Sequence, residues 1–392
     1  MERILWISLG LVFYTYLGYG VILYLLVILR RLVGTIPKLP ENYEPFVTLV
    51  IPCYNESDIF AAKIQNCKAL DYPSNKLKMV FITDGSTDGS EHHLKAWPEI
   101  TVYHEQRRAG KTAAENRVMK FVETPVVIFS DANTMLNTGA VRNMVKHFSD
   151  DRVGCVSGEK KIISESSDNA SAAGEGIYWK YESFLKRLDS ELYSAVGAAG
   201  ELVAFRTSLY RDLPEDTLLD DFMQSMQIAA GGSRIVYESD AYATESASEN
   251  VHEELKRKVR ICTGGWQSMV RLSGKLSLIK TPTLYFQYIS HRVLRWTIAP
   301  FLLLIVFMLN VPLAFMGDRF YVFMMIAQLT FYLAAFTGLI LENRKLRFKL
   351  LFVPYYFFIM NYAVLAGLVR YLTSRQVGTW EKAERKKVSL TH

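Results

Sequence analysis

Val126-Val127-Ile128-Phe129-Ser130-Asp131-Ala132-Asn133-Thr134 is the stretch on which the fold turns. Its first four residues are all apolar, the pattern of a parallel strand buried on both faces. Such a strand delivers the carboxylate of Asp131 and the amide of Asn133 to its C-terminal end. In open α/β sheets ligands bind in the crevice beyond that end. A carboxylate and an amide two residues apart offer oxygen ligands to a divalent cation, so this is where a metal-bound diphosphate would sit.

Working upstream, Phe46-Val47-Thr48-Leu49-Val50-Ile51 reads as a second buried strand, with Pro52-Cys53-Tyr54-Asn55-Glu56 as its exit loop. A helix is expected over 58–70 and a strand over 77–83, ending at Asp84-Gly85-Ser86-Thr87-Asp88-Gly89. The basic loop Arg107-Arg108-Ala109-Gly110-Lys111 then leads through a helix carrying Asn116 and Met119 to the strand that ends at Asp131. This βαβαβ alternation predicts an α/β, doubly wound nucleotide-binding half. Loops carrying Tyr54 and Glu56, Asp84, and Asp131 with Asn133 therefore emerge on one side of one sheet. A ring stacks on a base, a carboxylate accepts from its N–H, and Lys111 neutralises phosphate. Plainer uses stand beside these: Asp84-Gly85 makes a good turn, Asp131 a helix cap, and Lys111 a solvated side chain. Gly110-Lys111-Thr112 is not a phosphate loop, because position 105 holds glutamate where that pattern needs glycine. No GxGxxG follows the first strand, which disfavours a dinucleotide fold.

Half of the 392 residues are hydrophobic, and much of that content is membrane-like. Residues 4–29 carry no charge, nor do 296–317, 320–341 and 350–369, whereas about 20 apolar residues cross a bilayer core. The first run is longer than a signal peptide's apolar region and ends in Arg30-Arg31, so it reads as a retained anchor. Cys53, Cys67, Cys155 and Cys262 have spacings that suit neither a zinc cluster nor a redox pair, and read as reduced thiols. Net charge is +6. Arg30, Arg31 and Lys38 follow the first run, and Arg344, Lys345, Arg347 and Lys349 lie between the third and fourth. The positive-inside rule puts both loops in the cytoplasm. The basic tail, with Arg370, Arg375, Lys382, Arg385, Lys386 and Lys387, opposes the outside C-terminus that four spans then require.

Together these loops resemble the family 2 glycosyltransferases, which carry the GT-A fold. The likeness continues through Val196-Gly197-Ala198-Ala199-Gly200-Glu201-Leu202 and Leu218-Leu219-Asp220-Asp221-Phe222. With the flanking spans it is similar to the membrane-integrated branch that includes hyaluronan, chitin and poly-N-acetylglucosamine synthases. The resemblance implies a GT-A domain over 45–275, preceded by an anchor (1–31) and linker (32–44). An interfacial segment (276–292), transmembrane helices (293–372) and a basic tail (373–392) follow. It implies a UDP-sugar donor bound by Tyr54, Glu56, Asp84 and Lys111, with Asp131 and Asn133 at the diphosphate and its Mg²⁺ or Mn²⁺. Asn133 departs from the usual DxD and brings no charge to the metal. Asp220 and Asp221 match the family's Glu-Asp pair, whose second member is the catalytic base of direct inverting transfer.

The resemblance further implies a glycan or lipid-linked acceptor, with membrane lipids as further partners; no nucleic acid is expected. Exopolysaccharide or capsule synthesis is the leading expectation, at the cell (inner or plasma) membrane with the catalytic domain cytoplasmic. Single transfer to a lipid is the alternative, and a non-catalytic nucleotide-sugar sensor the third. In the stretch Tyr178-Trp179-Lys180-Tyr181-Glu182, helical spacing makes Trp179, Phe184 and Leu188 core-face candidates. The small residues of 197–200 either admit a sugar or pack a tight turn. Residues 252–269 read as a basic amphipathic helix and 276–289 as interfacial. Where processive relatives carry QxxRW, this chain has Arg257-Lys258-Val259-Arg260-Ile261, so only Arg260 survives. Trp266 is either a substitute platform for the acceptor or an interfacial anchor.

Overall fold

In the computed structural model, residues 1–34, 39–40, 42–163, 170–246, 251–343 and 349–373 are described. The charged loop 344–348, the tail from 374 and part of the linker lie outside them.

The first apolar run is one long helix with a π-helical turn inside it: α1 (Glu2–Phe13), the turn Tyr14–Gly18, and α2 (Tyr19–Val33). A π turn leaves a backbone carbonyl without its usual helical partner. Here the carbonyl of Tyr16 accepts the Tyr181 hydroxyl at 2.8 Å.

The domain then runs β1 (Val47–Cys53), α3 (Phe60–Lys68), β2 (Leu77–Asp84), α4 (Ser90–Lys95), β3 (Thr101–Glu105), α5 (Lys111–Met119) and β4 (Val126–Ser130). It continues with β5 (Met135–Leu136), α6 (Ala140–Val145), β6 (Val153–Ile163), α7 (Ala170–Leu192), β7 (Leu202–Arg206), α8 (Asp220–Ala230), β8 (Arg234–Ser246) and α9 (Val251–Leu272). The strands lie in the order β3-β2-β1-β4-β7-β6-β8-β5. β3, β2, β1 and β4 are parallel, β7 runs antiparallel to β4 and to β6, and β8 is parallel to β6. Chain order reverses between β1 and β4, so their exit loops flank a switch-point crevice. As expected, β1 and β4 are buried along their whole length. Leu49, Ile51 and Ile128 face one core layer with Phe60 and Val141; Val50, Val127 and Phe129 face the other with Val118 and Phe222.

β3 is an element beyond the expected alternation. Its residues Thr101-Val102-Tyr103-His104-Glu105 are short, mixed and only partly buried, so no apolar run marks them.

After α9 the chain forms α10 (Pro282–Tyr288), a second π turn (Ile289–Val293), α11 (Leu294–Trp296), and the apolar helices α12 (Ile298–Phe315), α13 (Arg319–Asn343) and α14 (Lys349–Thr373). Among the described residues, four helices are long and apolar enough to cross a membrane: 2–33, 298–315, 319–341 and 351–373. The second half of the segment expected to be interfacial packs into the protein, while Leu278 and Ile279 before it stay exposed. Leu284, Gln287, Ser290 and His291 are all buried, because Glu182 and Asp189 of α7 need the cations and donors it carries. Arg292 and Arg295 meet Glu182 at 2.7 and 3.0 Å, while His291, Gln287 and Tyr19 converge on Asp189. Arg30 and Arg31, legible as topogenic charges, also dock. Arg30 donates to the terminal carbonyls of α7, and Arg31 meets Glu191 at 2.7 Å.

Candidate active site

The crevice is assembled by small devices that the sequence places at strand ends. Asp84 closes β2, and its Oδ2 accepts N–H bonds from Ala109 and Gly110 at 3.0 and 2.6 Å. Gly110 has φ +104°, a backbone state open to glycine, and this turn starts α5 with Lys111. Arg117 binds the other Asp84 oxygen at 2.6 Å. With its side chain 3% exposed, Asp84 is engaged inside the protein and presents no free oxygen to a base in this conformation. Tyr54 also has company, since the Arg108 guanidinium lies 3.8 Å from its ring centre. Glu56 sits beside Tyr54 on a loop stitched to the 84–90 loop, where Asp88 accepts the Ser57 N–H at 2.9 Å.

Asp131 leaves β4 at the crevice floor. Beneath it lies Lys63, wholly buried, donating to Ser130 Oγ at 2.9 Å and to the Thr134 carbonyl at 2.7 Å. Nothing in Phe60-Ala61-Ala62-Lys63 signalled this support; a lysine in a helix ordinarily reads as solvated. Burial lowers its ammonium pKa. Asn133 donates its amide to Glu245 of β8 at 3.4 Å.

Lys111 is the hub. Its Nζ lies 2.8 Å from Asp131, 3.7 Å from Asp220 and 3.9 Å from Glu115. Burial works against its charge, yet Asp131, Asp220 and Glu115 hold its pKa well above the ordinary value. Asp220 and Asp221 open α8. The loop before them is held by α5, through Thr112 on the Thr217 carbonyl (3.1 Å) and Asn116 on the Leu213 carbonyl (2.8 Å). From α9, Gln267 accepts the Leu218 N–H at 3.0 Å, and Arg271 pairs with Asp216 at 2.7 Å. Burial and the adjacent Asp220 push the Asp221 carboxyl up to about 7. Burial and Asp220 likewise drive Glu115 well above the carboxylate range. Gly200 stands where a β-carbon would come within 3.2 Å of Asp221 Oδ2 and 3.4 Å of Lys111 Nζ. The backbone of 197–200 thus passes directly over the cluster.

Arg260 of α9 makes no ion pair among the described residues, yet it is within electrostatic reach of Asp220, Asp131 and Asp221, which offset part of the lowering that burial imposes. Trp266 turns away, its indole N–H donating to the Val364 carbonyl of α14 at 3.3 Å. Of its two expected uses, the contact is that of an anchor. Trp179, expected on a core face, instead stands among lysines: Lys160, Lys186 and Lys258 lie 5.7, 6.0 and 5.7 Å from its ring centre.

Among the described residues no three His, Cys, Asp or Glu side chains are grouped to cage a metal. Asp131 with Asn133 nonetheless fits a hard cation of the Mg²⁺ or Mn²⁺ type, which takes one or two protein oxygens and fills its shell with substrate phosphate and water. The Asp131 side chain, 33% exposed, is open to such an arrangement.

A mixed sheet with acidic and amide oxygens at its switch point, a Lys-centred carboxylate cluster beside it and apolar helices at both flanks defines a GT-A domain joined to a membrane. Residues 48–213 match the family described as glycosyl transferase family 2. Poly-β-1,6-N-acetyl-D-glucosamine synthase of Staphylococcus aureus is 27% identical over 235 residues, covering 57% of this chain and 56% of the relative. The chain thus matches a little over half the length of that relative. A β-monoglucosyldiacylglycerol synthase of Nostoc sp. is 26% identical over 182 residues, 43% of this chain and 38% of the relative. In fold, a mannosyltransferase from Pyrobaculum calidifontis, solved with GDP-mannose and Mn²⁺, aligns with TM-score 0.72 at 22% identity over 94% of this chain and 99% of that one.

Proposed function

We propose that the protein is an inverting glycosyltransferase that moves a sugar from a UDP-sugar to an acceptor at the membrane face, forming a β-linkage in the building of an extracellular or capsular polysaccharide. The observation that carries this reading is the placing of Asp221, a carboxyl with its pKa near 7, beside the Lys111–Asp131 pair. A general base works best when its pKa lies close to the working pH. Asp221 accepts the proton of the acceptor hydroxyl as that oxygen attacks the anomeric carbon, and the bond from that carbon to the UDP oxygen breaks on the opposite face. Lys111 and Arg260 set positive charge against the departing diphosphate. Burial and the adjacent Asp220 keep Asp221 basic enough to act. Tyr54 and Glu56 flank the nucleoside once Arg108 moves off the ring, and Asp84 shapes the loop that meets it. Asp131 and Asn133 would hold a divalent cation, which when bound supplies charge neutralisation at the leaving diphosphate. The domain faces the cytoplasm, from the plasma or inner membrane.

Single transfer to a lipid-linked acceptor shares the same donor site and base. Trp266 favours it, because an indole committed to α14 leaves no stacking platform of the QxxRW kind. Purified protein in detergent, given a panel of UDP-sugars with Mg²⁺ or Mn²⁺, should release UDP in a metal-dependent way that Asp131→Ala abolishes. UDP binding with no release from any sugar nucleotide makes the protein a sensor; release from GDP-sugars alone overturns the donor assignment. Product size separates the acceptor readings: short products are expected, and high polymer unaffected by Trp266→Ala overturns that expectation.

A further inference from the structure

Lys186 is a buried cation whose natural partner is already taken. The residue is 7% exposed, and an ammonium removed from water without a counter-charge is costly. Glu182, four residues earlier on the same face of α7, is the carboxylate placed to pair with it. Both Glu182 oxygens are instead claimed by arginines, Oε1 by Arg292 at 2.7 Å and Oε2 by Arg295 at 3.0 Å. Among the described residues Lys186 makes no ion pair and no hydrogen bond. Its nearest aromatic company, Trp179 at 6.0 Å and Tyr237 at 5.9 Å, is at the outer limit at which a ring face stabilises a cation.

The other two lysines around Trp179 are neutralised. Lys160 lies 2.6 Å from Glu201 and also contacts Glu245, and Lys258 lies 3.3 Å from Glu254. Lys186 is therefore the one lysine of the three without an ion pair among the described residues, with Glu182, Glu201 and Asp221 acting on it only at a distance. On one side Glu201 directly follows Gly200, which abuts Asp221 and Lys111. On the other, Lys258 also lies 5.7 Å from the ring centre of Tyr356, on the apolar helix α14. The cluster thus lies between the Gly200 segment and α14.

We propose that Lys186, with Trp179, Lys160 and Lys258 around it, forms an acceptor subsite for a phosphate-bearing lipid, in which Lys186 is the counter-charge to the phosphate. This deepens the lipid-linked form of the glycosyltransferase reading and rests on it. The phosphate sits at the polar boundary of an apolar helix, and its negative charge supplies what Glu182 cannot.

The test uses the full chain in detergent and three probes: farnesyl phosphate, farnesol and inorganic phosphate. Farnesyl phosphate should bind, with farnesol and inorganic phosphate each at least about 10-fold weaker. Lys186→Met should weaken farnesyl phosphate by about 10- to 100-fold, the size of one charge-assisted hydrogen bond, while Lys186→Arg keeps most of the affinity. Methionine matches the stem of the lysine and removes only the charge, so the variant should fold with an unchanged or higher unfolding temperature. Equal affinity in Lys186→Met and wild type overturns the proposal. So does farnesol binding as tightly as farnesyl phosphate, and inorganic phosphate binding as tightly makes this a free-anion site instead. Metal-dependent UDP binding is measured on the same samples: its loss in the wild type strikes the glycosyltransferase reading, whereas its retention beside failed lipid binding strikes only the subsite.

Discussion

Two clusters of buried charge lie on opposite sides of Gly200 and Trp179, and they are balanced in opposite ways. At the crevice one ammonium, Lys111, faces Asp131, Asp220 and Glu115, with Asp221 alongside. At the seam between α7 and the second π turn, Glu182 and Asp189 meet Arg292, Arg295 and His291, with Tyr19 and Gln287 adding hydrogen bonds. Acids are in excess in the first, and burial together with the neighbouring Asp220 makes two carboxyls hold their protons: Glu115 well above its usual range and Asp221 at about 7. In the second, Arg292, His291 and Arg295 overcome burial and hold Glu182 well below its usual range. A buried charge that is fully met fastens helices together. One left partly unmet is poised for a cation, a diphosphate or a proton.

The largest expected effect breaks the first cluster. Asp221→Asn should lower turnover by about two to four orders of magnitude, the size of a general-base contribution, while UDP binding holds steady and the unfolding temperature near pH 7 does not fall. Steady-state rates with a UDP titration on the same preparation check this. If Asp220→Asn is the crippling change and Asp221→Asn is mild, the base is one residue earlier and the clusters differ in a less direct way.

Next in size is Glu182→Gln, which keeps the shape and leaves Arg292 and Arg295 without a counter-charge. Removing one partner of a buried pair costs about 3–5 kcal/mol. A large drop in the thermal midpoint in detergent is expected, with turnover per folded molecule little changed. An unchanged midpoint with lost turnover would move Glu182 from architecture into the reaction.

A pH titration moves the two regions in opposite directions. The folded-state pKa of Asp221 is raised from an ordinary value of about 3.9 to about 7. Between those values the folded protein binds more protons than the unfolded chain, so its contribution to stability falls as pH rises. The Glu182 pKa is depressed, so its contribution is complete above the unfolded value and is lost only in acid, as pH falls toward the folded one. Activity should rise through about pH 7 as Asp221 loses its proton. Stability between pH 4 and 7 should fall more in wild type than in Asp221→Asn; parallel curves would show that Asp221 does not titrate there.

The crevice was far easier to read in sequence than the seam. Buried strands announce themselves as apolar runs, and loops at their C-terminal ends must carry ligand chemistry, so Lys111 and Asp131 were findable from their loops, whereas Asp221 was singled out by the family resemblance alone. The seam depends on which residues of distant helices face each other. His291-Arg292 follow an aromatic stretch that reads as a membrane-surface segment, and only the packing of α10 against α7 turns them inward. Lys63 and Lys186 were invisible for the same reason: a lysine in a helix carries no mark of burial. Trp179 stands among lysines and not on an apolar face, because helical spacing fixes a residue's face and not what stands opposite it.

The smallest expected effect sharpens the comparison at its most delicate point. Asn133 donates to Glu245 at 3.4 Å, and Glu245 is itself held by Lys160, in the cluster around Trp179. Asn133→Asp should retain turnover, since a carboxylate oxygen still serves where an amide oxygen did. It replaces a donor with a second acceptor facing Glu245 and adds an acid to a crevice already rich in them. Without metal the variant should therefore unfold at a slightly lower temperature than wild type. With Mg²⁺ or Mn²⁺ and UDP the added charge gains a partner, so the metal concentration for half-maximal rate should fall by a few-fold and the stability deficit should close. Thermal midpoints with and without metal and UDP, set beside a metal titration of the rate, read both effects. A deficit that persists in saturating metal would mean that Asn133 serves chiefly as the hydrogen-bond donor to Glu245, and that Asp131 meets the cation without it.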